Sequence, residues 1–163
     1  MSMEGSGVKL RILVLHGPNL SRAFLRDLPT EGQKDADAFA AWLAAEGERQ
    51  GIQVDFDLRA GEGELCQAIE EAQEGYDGII VSVGLLRYTS LPLWGALRAS
   101  KLPCVEVVPL RERLPMERAP IVPRACLAEI SGMGLFGYQA AMEFLRLRAA
   151  RGKKPVVTRP SDR

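Results

Sequence analysis

Apolar positions fall along this chain in two alternating patterns, short continuous runs and helically spaced stripes. Leu10 and Ile12 to Leu15 form a run long enough for one buried strand and too short for a buried helix. His16-Gly17-Pro18-Asn19 ends it: Gly17 lets the backbone turn, Pro18 cannot donate to a ladder, and Asn19 brings a short amide. Residues 20–33 hold Pro29, Gly32 and mixed charge without a clear period, which predicts a loop. About a dozen residues is long for a connection, and such loops are often lids. Phe39, Trp42, Leu43 and Glu46 follow helical spacing and predict a helix over 35–50, ended by Gly51. Residues 52–58 alternate apolar and polar side chains, the mark of a half-buried edge strand.

A turn over 59–63 leads into a helix over 62–74, with Leu65, Ile69 and Ala72 on one apolar face. Residues 76–83 form a central strand around Ile79-Ile80-Val81, bounded by Asp77-Gly78 and Gly84. Ser90 is the expected N-cap of a third helix over 90–101, with Pro92 in its first turn. Residues 103–108 are the fourth strand. Residues 109–124 carry four prolines and four arginines, an irregular loop over the sheet's end. A short fifth strand over 127–131 precedes a last helix over 135–150, with Phe136, Ala140, Phe144 and Leu147 on one face. Five strands joined by four right-handed crossovers fit a flavodoxin-like α/β fold, a parallel sheet of order 2-1-3-4-5 with helices on both faces. Residues 1–8 read as a flexible leader, 9–150 as one domain, and 151–163 as a basic, apolar-poor and disordered tail.

Composition narrows the class. With 163 residues, 47% apolar and 26% charged, the chain suits one globular domain with a real core. Its formal net charge is zero, which gives no pointer to nucleic acid or membrane. The basic tail could touch nucleic acid, but a solvated tail is the favoured reading. No apolar run approaches a membrane span, and the first residues lack a signal peptide's apolar segment. Cys66, Cys104 and Cys126 are odd in number and lie in apolar surroundings, as reduced thiols of a cytoplasmic protein do. One histidine, His16, and no Cys-x-x-Cys argue against a metal site.

Gly132-Met133-Gly134-Leu135-Phe136-Gly137 matches the dinucleotide fingerprint and stands between a strand and a helix. That motif needs a following strand with an acidic residue about twenty positions on. Here only a helix and the tail remain, so close strand-to-helix packing is the preferred explanation and no cofactor is expected. Asn19, Arg26, Arg87, Tyr88, Glu106 and Arg113 fall in the predicted rim at the carboxyl ends of strands one, three and four. Arginines there suit an anionic small molecule, although solvated loops carry the same residue types. Glu106 lies inside the apolar Cys-Val-Glu-Val-Val run, so it is either a hydrogen-bonded structural acid or part of a site.

The order of these segments resembles type II 3-dehydroquinate dehydratase, a small α/β enzyme of the shikimate pathway. The resemblance spans residues 10–147. It rests on residues 12–20 (Ile-Leu-Val-Leu-His-Gly-Pro-Asn-Leu), Glu62-Gly63-Glu64-Leu65, Thr89-Ser90, Val105-Glu106-Val107, and residues 130–138 through Gly137-Tyr138. It implies a flavodoxin-like fold, a trimer-based dodecamer and an anti-elimination of water through an enolate. A lid tyrosine aided by an arginine acts as base, a histidine after strand four as acid, and an asparagine holds a water. That chemistry needs a base and an acid on opposite sides of the ring, with tuned pKa values.

Carried onto this chain, Asn19 matches the asparagine and Arg26 the lid arginine, while the tyrosine's position holds Glu31. The asparagine after strand three corresponds to Ser82, and Thr-His-Thr-Ser becomes Arg87-Tyr88-Thr89-Ser90. Glu106 is kept, but the histidine becomes Val108, which cannot donate a proton. The Ser-Asn pair that grips the substrate has no clear counterpart in Pro109-Leu110-Arg111. A distal arginine falls on Arg113, with Arg111 or Arg118 as alternatives. Three readings follow. The favoured one is an oligomeric homologue with lost or altered activity, keeping a place for a small cyclic carboxylic acid. The second is an active dehydratase using Glu31 as base and Tyr88 as acid. The third is another lyase or isomerase on the same rim.

Overall fold

The computed structural model describes residues 9–18, 25–32, 34–111 and 118–152. Asn19, Arg113, the leader over 1–8 and most of the tail lie outside the described residues. Five strands, β1 (Arg11–His16), β2 (Gln53–Leu58), β3 (Gly78–Ser82), β4 (Cys104–Val108) and β5 (Ala128–Ser131), form one parallel sheet of order β2-β1-β3-β4-β5. The helices are α1 (Ala36–Arg49), α2 (Glu62–Ala72), α3 (Leu91–Ala99) and α4 (Phe136–Ala150). This is the expected flavodoxin-like order, with most elements one to three residues shorter than their sequence patterns. None of these helices is long and apolar enough to cross a membrane.

The strand alternation builds two cores. Ile12, Val14, Ile80, Val105 and Val107 face one layer with Phe39, Leu43, Tyr138, Met142 and Leu145. Leu13, Leu15, Ile79 and Val81 face the other, with Leu65, Ile69, Leu93 and Leu97. Successive strand side chains point to opposite faces, so the apolar runs of β1 and β3 feed both layers at once. Asp35 caps α1 by accepting from the Ala38 amide, and Ser90 caps α3 by accepting from Leu93 N at 3.0 Å. Gly51 ends the first helical segment at φ 73°, a left-handed geometry that favours glycine.

Two expectations need correction, the buried face of α4 and the plain loops after β3 and before β5. The buried face of α4 consists of Gly137, Tyr138, Ala141, Met142 and Leu145. Phe136 and Leu147, expected on that face, are 69% and 42% exposed. Both stripes have helical spacing, and the fit of Gly137 against Val107 and Ile130 decides between them. The described part of the connection before α1 is a loop, as expected, anchored by Leu25 and Leu28 in the first core. Two 3₁₀ turns, Gly84–Tyr88 and Val122–Ala125, stand where plain loop was expected.

Candidate active site at the carboxyl rim of the sheet

His16 ends β1 beside Ser82, which ends β3, and the chain turns at once. Gly17 N donates to Ser82 O at 2.9 Å, and a Cβ on Gly17 would lie 3.1 Å from Val83 Cα, so the two backbones meet without room for a side chain. The His16 ring is buried edge-on to Phe39, with centroids 6.2 Å apart. Its Nδ1 lies 3.4 Å from Gly17 O and its Nε2 lies 3.0 Å from Tyr138 Oη. With Nδ1 donating to the carbonyl, Nε2 accepts from the Tyr138 hydroxyl, which is also bonded to Ser82. Burial lowers the His16 pKa to about 4, so the ring is neutral, and burial pushes the Tyr138 phenol up. Ser82 is thus engaged from inside the fold. His16 and Tyr138 were not among the expected site residues. The single histidine at the close of a buried strand was the available signal.

Beside this chain lies an ion cluster whose Arg87 and Glu106 are buried and whose Glu129 is exposed. Glu106 and Glu129 are paired in the register of β4 with β5, which sets two carboxylates side by side. Arg87, on the first 3₁₀ turn, bridges them. Its Nε donates to Glu106 Oε1 at 3.0 Å and its Nη2 to Glu106 Oε2 at 2.9 Å, while Nη2 also binds Glu129. Nη1 donates to Tyr88 Oη at 3.1 Å, and the guanidinium carbon stands 5.0 Å from the Tyr88 ring centroid. Burial alone would lower the Arg87 pKa, but the bonds to Glu106 and Tyr88 and the Glu129 charge outweigh it and hold the pKa raised. Ile121 N also donates to Arg87 O at 2.7 Å, tying the turn to the segment before β5.

The structure therefore gathers Arg87, Tyr88 and Glu106 in one group, and Ser82 in the chain with Tyr138 and His16. Ser90 is spent as a helix cap, Thr89 is exposed, and Arg26 and Glu31 stand exposed on the connection before α1. Val108, at the strand-four position, is 8% exposed. The glycine motif bonds protein carbonyls: Gly132 N donates to Val108 O and Gly134 N to Pro109 O, both at 2.8 Å. Both glycines have positive φ, and a Cβ on Gly137 would lie 3.0 Å from Val107 Cγ1, consistent with tight strand-to-helix packing. Among the described residues no cluster of His, Cys, Asp and Glu is placed to hold a metal ion. A cleft of about 510 Å³ opens at the opposite end of the sheet, lined by Leu10, Tyr76, Lys101, Pro103 and Arg148, away from the rim groups.

A parallel sheet of this order, with polar groups collected at the carboxyl ends of its central strands, defines an open α/β protein of flavodoxin type, a class in which ligands bind at that rim. Residues 10–146 match the family described as dehydroquinase class II. The chain is 32% identical over 140 residues to a 3-dehydroquinate dehydratase of Clostridium perfringens, covering 84% of this chain and 97% of that one. Type II dehydroquinases of Propionibacterium acnes and Butyrivibrio crossotus superpose with TM-scores of 0.73 each, at 26% and 27% identity. They cover 84% and 86% of this chain and 98% and 99% of theirs. The chain belongs to the type II dehydroquinase family.

Proposed function

We propose that this protein is a dehydroquinase homologue with lost or strongly altered dehydratase activity, holding a small cyclic carboxylic acid at the rim. Val108 carries the reading. The resemblance asks for a proton-donating histidine there, and the residue present is a nearly buried aliphatic with nothing to donate. Arg87 adds to it, because three of its nitrogens are engaged by Glu106, Glu129 and Tyr88 rather than open to a substrate carboxylate. An acid or a base contributes about 10²–10⁴-fold, so losing both leaves little turnover. In this reading residues 9–150 are one domain of a cytoplasmic homo-oligomer, a dodecamer if the resemblance extends to assembly. The exposed Leu91 and Trp94 of α3 suit self-association.

A second reading has its own support. Identity to named dehydratases runs through the whole fold, and the Tyr88 hydroxyl is oriented by Arg87 beside Glu106. An active dehydratase, or another lyase or isomerase, would then use Glu31 as base and Tyr88 as acid. The test is turnover of 3-dehydroquinate, followed by the ultraviolet absorbance of the conjugated product, with calorimetry of cyclic carboxylic acids alongside. We expect binding without turnover. Turnover that collapses in Glu31→Gln or Tyr88→Phe would overturn the proposal in favour of the second reading.

A further inference from the structure

Cys104 and Cys126 are brought together on the face of the sheet that carries α2 and α3. Cys104 opens β4, and Cys126 follows the second 3₁₀ turn, two residues before β5. Their sulfurs lie 3.5 Å apart, and both side chains are buried. Backbone pairing holds them there: Leu127 N donates to Cys104 O at 2.7 Å and Cys126 N to Pro123 O at 3.0 Å. The third thiol, Cys66, is part-exposed on α2. The rim chemistry uses none of the three.

We propose that Cys104 and Cys126 form a modification site, a dithiol that a two-electron oxidant converts reversibly to an intramolecular disulfide. A disulfide places its sulfurs about 2 Å apart, so closure asks for an approach of about 1.5 Å between two sulfurs already in contact. Each thiol loses its hydrogen, the sulfur–sulfur bond forms, and two electrons and two protons pass to the oxidant. With diamide the acceptor is its N=N bond, which becomes N–N bearing two N–H groups. The bond ties the first residue of β4 to the turn before β5. It closes the loop that contains Val108 and whose Ile121 is bonded to Arg87, so oxidation state reaches the rim through the chain's own connection.

The experiment treats the native full chain with diamide, then labels free thiols with N-ethylmaleimide in denaturant for intact-mass spectrometry. The reduced chain takes up three labels, one per cysteine. We expect the treated chain to take up one and, before labelling, to weigh about 2 Da less, with dithiothreitol restoring all three. Cys66→Ser should fall from two labels to none, and the oxidised form should unfold at a higher temperature. Three labels after treatment, loss of label through a Cys66-linked dimer on a non-reducing gel, or a lower unfolding temperature would each overturn the proposal.

Discussion

His16 shows how burial sets the protonation of one side chain and, through it, stability. Its folded pKa of about 4 lies below the ordinary 6.5 because the ring is desolvated, so the folded state holds it neutral. Above pH 6.5 both states carry the neutral ring and its full contribution is present. As pH falls from 6.5 through 4, the unfolded chain takes up a proton that the folded chain refuses, and stability drops by about 3 kcal/mol in all. Urea denaturation of the wild type should weaken from pH 7 to pH 5 by more than that of His16→Gln; equal slopes would refute the assignment. Arg87 poses the opposite problem, a charge stabilised by its partners. Arg87→Met strands Glu106, whose side chain is 1% exposed, and should cost about 3–5 kcal/mol. Adding Glu106→Gln should recover part of that loss, and strict additivity in the double-mutant cycle would argue against coupling. Glu106 stood out in the sequence because a charge inside an apolar run must find a partner. Arg87 stood out as a rim residue, but its pairing with Glu106 and Glu129 did not, since that depends on strand register, and His16 meets Tyr138 across 122 positions of chain.

At the level of elements, close approach rather than propensity decides which glycines matter. Gly47 lies inside α1, where alanine would ordinarily gain about 1 kcal/mol. A Cβ there would sit 2.6 Å from Val54 Cγ2 and 3.0 Å from Ile52 O. Gly47→Ala should therefore destabilise by about 1–3 kcal/mol through overpacking. Gly95 in α3 has nothing within 4 Å of a built Cβ, so Gly95→Ala should stabilise by about 0.5–1 kcal/mol. Urea midpoints moving in opposite directions for the two variants are the expected result. Strands and helices could be read from apolar runs, caps and Gly51 because those signals are local. The face of α4 could not, because Phe136-Ala140-Phe144-Leu147 is as regular as Tyr138-Ala141-Met142-Leu145 and only packing against β4 and β5 chooses between them.

For the whole molecule, the order of strands followed from βα alternation and the right-handed crossover rule, which together leave few topologies. Family membership leaves the chemistry open, because a fold carries function only through the groups at its site. Here the strand order and overall fold match those of solved type II dehydroquinases, and the proposed change of activity turns on the rim residues. Arg87 and Glu106 are turned toward each other, and Val108 stands at the position the resemblance gives to an acid.

The all-parallel sheet has a kinetic side as well. No strand can close on its neighbour through a hairpin. Ile12 of β1 must find both Val54 and Gly78 across long intervening chain before either pairing is rewarded. Order should therefore spread outward from β1 and β3, with β5 joining late, and refolding should be slow for a chain of this size. Stopped-flow measurements should find that Val14→Ala slows refolding. Ile130→Ala, on β5, should chiefly speed unfolding, and the reverse pattern would mean that assembly begins at the β5 edge.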